Sequence, residues 1–235
     1  MNLAALPLPI KLSVTFFIVL TACGLVVSEI LVHSDLHPER GCPLPNLTMI
    51  KAKYSYSPLY RAVLTTMRKH LENKLELKAI IDWCQSGGDR TEFYEKIAPI
   101  LNQRCLHCHG KNICRGDVSL RNWGDLAPLV INRGLPVAKL IRQTHYHIFG
   151  FGILILGLTL IFNLTRYSNR AKIWLTVIAY TAALVNILGW WAAKLSHTVA
   201  VVILISGLTL MLTITIIVVL SFLDLWVLKQ VTSAE

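Results

Sequence analysis

The sequence predicts an all-α membrane protein in which a four-helix transmembrane bundle carries an external helical domain. Three observations lead there. Apolar residues make up 54% of the chain and mean hydropathy is +0.55, values of a membrane protein. Those residues are gathered into four long runs instead of being spread at the period of an amphipathic surface. Between the first and second runs, residues 33–143 form a polar segment with helical spacing and most of the basic side chains.

A hydrocarbon core of about 30 Å is crossed by about 20 helical residues. The first run, Ser13 to Val32, meets that length. The second, His147 to Phe162, is short and spans better if its helix begins near Ile141. Ile173 to Trp191 and Val199 to Leu228 complete the set, the last being long enough to tilt or protrude. The Asn163–Lys172 connection carries Arg166, Arg170 and Lys172 and no acid, so it is expected in the cytoplasm. Both chain ends then fall on the cytoplasmic side and residues 33–143 outside. Leu20-Thr21-Ala22-Cys23 also reads as a lipoprotein cleavage box that would leave Cys23 lipidated. The apolar run continues past it through Gly24-Leu25-Val26-Val27, which favours an uncleaved anchor over residues 1–32.

In the external segment, Pro38, Gly41, Pro43 and Pro45 make residues 38–56 an irregular linker. Ser57-Pro58 reads as a cap followed by proline in the first helical turn. Leu59, Val63, Met67 and Leu71 recur at helical spacing, which predicts a helix over 58–84 ending before Gly87-Gly88. Thr91 opens a second helix with Phe93, Ile97 and Leu101 on one face, and Pro99 is expected to bend or break it. Cys42, Cys84 and Cys114 allow one disulfide in an oxidising compartment, with the pairing open.

That second helix runs into Cys105-Leu-His-Cys108-His109, the most specific pattern in the chain. C-x-x-C-H is the pattern of covalent haem c attachment: each thiol forms a thioether with one porphyrin vinyl group, and the adjacent imidazole is the proximal iron ligand. A zinc knuckle of Cys105, Cys108, His107 and Cys114, or a redox dithiol, are the rival readings. Zinc sites usually supply a second matched ligand pair, and the dithiol motif expects a βαβ context. One covalent haem c is therefore the expected cofactor.

The stretch FYEKIAPILNQRCLHCHG, with GDVSLRNWGDLA and GLPVAKLI after it, resembles the small single-haem cytochrome c domain common in planctomycete proteins. The resemblance covers about residues 91–143 and implies an all-α cytochrome c fold with haem held by Cys105, Cys108 and His109. The expected architecture is thus a cytochrome c-like external domain on a four-helix transmembrane bundle. Its parts are an anchor (1–32), a linker and helical segment (33–90), the haem domain (91–143) and a three-span region (144–235). From His145 onward the chain is also similar to bacterial three-span membrane proteins that open on a His-x-His segment.

Small cytochromes c generally take a downstream methionine as sixth ligand, and here none lies between Cys105 and the membrane. Met211 is deep in the fourth run. His145 or His147 is the downstream candidate; Met49, Met67 and His70 lie upstream. Two imidazoles give a lower potential than His-Met, because methionine raises it. An open sixth position would instead suit gas binding.

His33 follows the first span, His145 and His147 open the second, and His197 opens the fourth, so all are expected near the outer face. His145 and His147 point about 200° apart on a helix, so at most one faces the bundle. Glu29, one turn before His33, is an ionisable residue within a span. Glu29, His33, His147 and His197 are the candidate set for a quinol site or an additional haem b. The alternative is a ring of interfacial histidines bonded to lipid headgroups, with Trp190 and Trp191 as belt residues. In the third span Ala179, Ala182, Asn186, Gly189 and Ala193 form a small-residue face for close helix packing.

The function these features predict is electron transfer by a membrane-anchored c-type cytochrome. It would work at the periplasmic face of a bacterial inner membrane, with other redox proteins or subunits of a respiratory complex as partners. A quinol-oxidising subunit and a haem-based gas or redox sensor are the alternatives. A stand-alone enzyme is disfavoured, since no Ser-His-Asp set, paired catalytic carboxylates or phosphate loop is present. The net charge of +10 is no argument for nucleic acid. A basic external domain suits anionic lipid headgroups or an acidic redox partner.

Overall fold

Hydropathy and periodicity require helices throughout, and the computed structural model has only helices and turns among its described residues. These are residues 3–36, 47–71, 73–109 and 119–228, the side chains of 33–36 and 49 excepted. The chain divides into two units.

The first unit comprises Met1–Ser34, Leu140–Trp191 and Val201–Glu235. It contains the four membrane-crossing helices α1 (Leu8–Leu36), α9 (Val137–Asn163), α10 (Asn169–Ala192) and α11 (Ala200–Trp226), the last preceded by a 3₁₀ turn at His197–Val199. The protein is a multi-pass membrane protein. The first three helices extend beyond their apolar runs, and α11 falls just inside its own. The second begins ten residues before His147, immediately after Pro136, and continues through Lys139 and Arg142. Proline cannot donate to a preceding turn but tolerates the start of a helix, and Lys and Arg are good helix formers. Helix α1 runs unbroken through Cys23, whose thiol is exposed.

All four spans contribute to one core: Ile18 from the first, Ile155, Leu158 and Phe162 from the second, Ala179, Ala182 and Ala183 from the third, and Leu210, Ile214, Ile217 and Val218 from the fourth. The small-residue face packs as expected. Ala179, Ala182, Gly189 and Asn186 are buried, and a Cβ on Gly189 would come within 2.9 Å of Ile203 Cγ1. Asn186 Nδ2 donates to Ile203 O at 2.9 Å and Ser206 Oγ at 3.1 Å, joining α10 to α11. Apolar contacts alone drive no association in lipid, so this close approach and the amide bonds hold the pair.

The second unit is Asp35–Lys139 with Ala192–Ala200. Ser57 caps α3 (Pro58–Leu64) by accepting from Tyr60 N at 3.4 Å, with Pro58 in the first turn. The expected single helix over 58–84 is two, because the chain turns at Thr65 and passes a 3₁₀ turn at Arg68–His70 before α4 (Lys74–Gln85). Leu71, 2% exposed, is pulled into the core in a non-helical conformation, and Asn73 recaps the chain by accepting from Leu75 N. Part of the expected linker is also helical, as α2 (Leu47–Tyr54). The next helix starts earlier than Thr91: Asp89 accepts from Glu92 N at 2.9 Å and caps α5 (Arg90–Glu92). Pro99 acts where expected, through a π-helical turn at Phe93–Ile97 before α6 (Ala98–Arg104). A proline ring clashes with the carbonyl four residues earlier, and the wider turn accommodates it.

Phe93, Ile97 and Leu101 bury one face as predicted, against Leu59, Val63, Ile80, Trp83, Leu126 and Val130. Leu126 and Val130 belong to α8 (Trp123–Ile131), which contains Pro128. Trp83 lies near both Phe93 and Trp123, with ring centroids 5.9 and 5.8 Å away, and its indole donates to Asp89 O at 2.9 Å.

Candidate functional site

Helix α6 delivers the cysteine-histidine motif. Its C-terminal residue Arg104 reaches back to Glu76 of α4 through Nε–Oε2 at 3.0 Å and Nη2–Oε1 at 3.2 Å, a bidentate pair that fixes the angle between the helices. The chain then breaks at Cys105 and resumes as a single turn, α7 (Leu106–His109). Cys105 N bonds to Leu101 O, and both Cys108 N and His109 N bond to Cys105 O. Cys105, Cys108 and His109 therefore share one tight turn at the edge of the core.

Exposure divides the labour within that turn. Cys105 is half-buried and packs with Leu106 against the core, while Cys108 is exposed. Burial, and secondarily the nearby Cys108, pushes the Cys105 thiol above the usual range. His109 is half-buried, and its Nδ1 is enclosed with no hydrogen-bond partner among the described residues. A ring that uses Nε2 as a ligand normally secures Nδ1 with a bond. Both thiols and an adjacent imidazole with Nδ1 oriented inward fit covalent haem attachment. No three described His, Cys, Asp or Glu side chains form a metal-holding group. Cys114, the fourth residue of the zinc alternative, lies outside the described residues, as does Cys42. Cys84 pairs with no described cysteine. It is buried, bonded to Ser57, and desolvation pushes its thiol up to about 12.

The candidate sixth ligands separate by face. On α9, His145 is exposed, its ring edge-on to exposed Phe149 at 5.0 Å and 5.9 Å from Tyr146. His147 turns inward, half-buried, with its ring perpendicular to Trp190 of α10 at 4.8 Å and to Phe151 at 5.2 Å. The opposed directions expected from helix geometry are realised. His147 Nδ1 donates to Gln143 O at 2.7 Å; a carbonyl only accepts, so Nδ1 carries a proton, and in the neutral ring Nε2 presents its lone pair. Next to it Trp191 Nε1 donates to Thr144 Oγ1 at 3.0 Å, tying the same two helices. Trp190 is thus a core residue, 4% exposed, and not a belt residue.

Glu29 is half-buried on α1 and bonds to none of the described side chains, His197 is exposed in the second unit, and the side chain of His33 lies outside the described residues. Among the upstream candidates Met67 is half-buried and His70 exposed, and the side chain of Met49 is not described.

Two features went unnoticed in the sequence. Lys194, from the segment between the third and fourth spans, donates to Arg133 O at 2.6 Å and Leu135 O at 2.7 Å. Burial lowers its pKa. Gly134 between those carbonyls has φ +65 and donates to Tyr56 O at 2.8 Å. Asp224 of α11 is fully buried, its Oδ1 accepting from Arg166 Nε at 3.1 Å and Arg166 N at 3.3 Å. Its Oδ2, and Ser221 Oγ one turn earlier, have no partner among the described residues. An acid inside an apolar run was the available signal.

Residues 128–232 match the model of a family described as a transmembrane helical domain. The match takes in the second, third and fourth spans and the end of α8. Neither a curated protein nor a solved structure matches the chain.

Proposed function

We propose that the chain is a membrane-anchored c-type cytochrome that passes electrons at the outer, periplasmic face of a bacterial inner membrane, as part of a respiratory complex. The observation that carries this reading is the turn at 105–109: two free thiols and an imidazole in the C-x-x-C-H order, following a helix whose last residue is tied to α4. When bound, haem supplies a one-electron couple between ferric and ferrous iron. Cys105 and Cys108 would attach it by thioethers, with the half-buried Cys105 fixing one edge against Leu106 and the core. His109 would ligate the iron. The aromatic and aliphatic core behind the turn keeps water from that side, which raises the energetic weight of any charge change there. For the sixth position the 145–147 segment remains the candidate, and His145 is the histidine whose ring is exposed.

The reading is tested by a pyridine haemochrome spectrum on the full chain purified from a host able to mature cytochromes c. A c-type spectrum at one haem per chain, reversibly reduced and oxidised, is the expected result. A chain that matures without haem, or with stoichiometric zinc, refutes it.

A further inference from the structure

We propose that His147 marks a binding site for the hydroxylated ring of a quinol in the membrane unit, at the N-terminal end of the second span. Binding here is independent of haem attachment, and it extends the electron-transfer reading by naming a class of donor.

Three observations converge on this ligand chemistry. The first is the fixed tautomer. With Nδ1 committed to Gln143 O at 2.7 Å, Nε2 of the neutral ring is an acceptor. It has no partner among the described residues, and it is absent from the sealed, unpartnered polar atoms of the protein, so it reaches the molecular surface. A ligand for this atom must bring an O–H or N–H donor. The second is the setting. The imidazole stands perpendicular to Trp190 and Phe151, with centroids 4.8 and 5.2 Å away. Aromatic edges and faces of this kind suit a further planar ring. The third is rigidity. Trp190 is buried and Trp191 is bonded to Thr144, so the two helices carrying the site are locked beside it. A preorganised acceptor loses little entropy when it is engaged. Lipid-soluble molecules that combine a planar ring with hydroxyl donors are quinols. His145, with its ring exposed on another face of the same helix, offers no such enclosure.

The test is equilibrium binding of a short-chain benzoquinol to the full chain in phosphatidylcholine nanodiscs, whose headgroup has no N–H or O–H donor. The comparison is the dimethyl ether of the same quinol. Saturable binding at one per chain is expected for the quinol, and roughly tenfold weaker binding for the ether. His147→Phe keeps the aromatic contacts and removes the acceptor, so it should weaken the quinol by about the same factor. His147→Gln restores an accepting oxygen and should recover most of the affinity. Equal binding of quinol and ether, or wild-type affinity in His147→Phe, overturns the proposal. If His147→Phe does not fold, the quinol–ether comparison on the native chain decides alone. None of these outcomes bears on whether haem is attached at Cys105 and Cys108.

Discussion

Replacing Gly134 with alanine should be among the most damaging single-methyl changes in the second unit. Gly134 has φ +65, and a Cβ there would stand 2.1 Å from Tyr54 O and 2.6 Å from Tyr54 C. Both are backbone atoms, which cannot rotate away. The left-handed conformation costs a non-glycine residue about 1–2 kcal/mol. Moving the chain apart breaks the Gly134–Tyr56 hydrogen bond, about 1 kcal/mol more. It also loosens the two bonds that Lys194 makes to the flanking carbonyls. A loss of about 2–3 kcal/mol follows from the backbone strain and the broken bond. Gly87 is the internal control: its φ is +98 but a Cβ there meets nothing within 4 Å, so Gly87→Ala should cost only the backbone strain, about 1–2 kcal/mol. Chemical denaturation of the full chain in detergent, followed by tryptophan fluorescence, compares the two. If Gly134→Ala unfolds with wild-type stability, or costs no more than Gly87→Ala, the packing of Tyr54 against the 132–136 loop is wrong.

Three further outcomes follow from the geometry. Asp224→Ala should destabilise the membrane unit by roughly 1–3 kcal/mol by stranding Arg166, with Asp224→Asn milder because an oxygen still accepts; thermal denaturation in detergent measures both. Cys84 has its thiol raised from 9.0 to about 12 by burial, so the unfolded chain loses this proton first as pH rises. Its contribution to stability is then complete below about 9 and lost towards 12, by about 1.4 kcal/mol per pH unit, and Cys84→Ala should flatten that alkaline decline in denaturant titrations. Low-temperature electron paramagnetic resonance of the ferric protein should show bis-histidine ligation that His145→Ala abolishes; an unchanged spectrum in both His145→Ala and His147→Ala moves the ligand upstream or leaves the position open.

What the residues disclose depends on how local the physics is. The four spans were legible because a bilayer demands long apolar runs, and the packing face of α10 because Ala179, Ala182, Asn186 and Gly189 recur at helical spacing. The start of α9 was harder to place, since Lys139 and Arg142 obscure a helix that Pro136 sets. The break between α3 and α4 escaped the periodicity because Leu71 keeps its apolar position while its backbone leaves the helix. Cys105, Cys108 and His109 stand out because the motif is local in sequence, and one tight turn holds all three. The opposed directions of His145 and His147 follow from helix geometry, yet which one meets Trp190 depends on a residue more than forty positions away. Lys194 and Asp224 were missed for the same reason: each acquires its role from partners distant in the chain.

Intact mass spectrometry of the denatured full chain tests covalent haem at the 105–109 turn most directly. The account predicts the mass of the mature chain plus one haem, retained after acid and organic extraction and lost in Cys105→Ala/Cys108→Ala. A wild-type chain carrying no haem mass, when expressed in a host that attaches haem to a control cytochrome c, would contradict it.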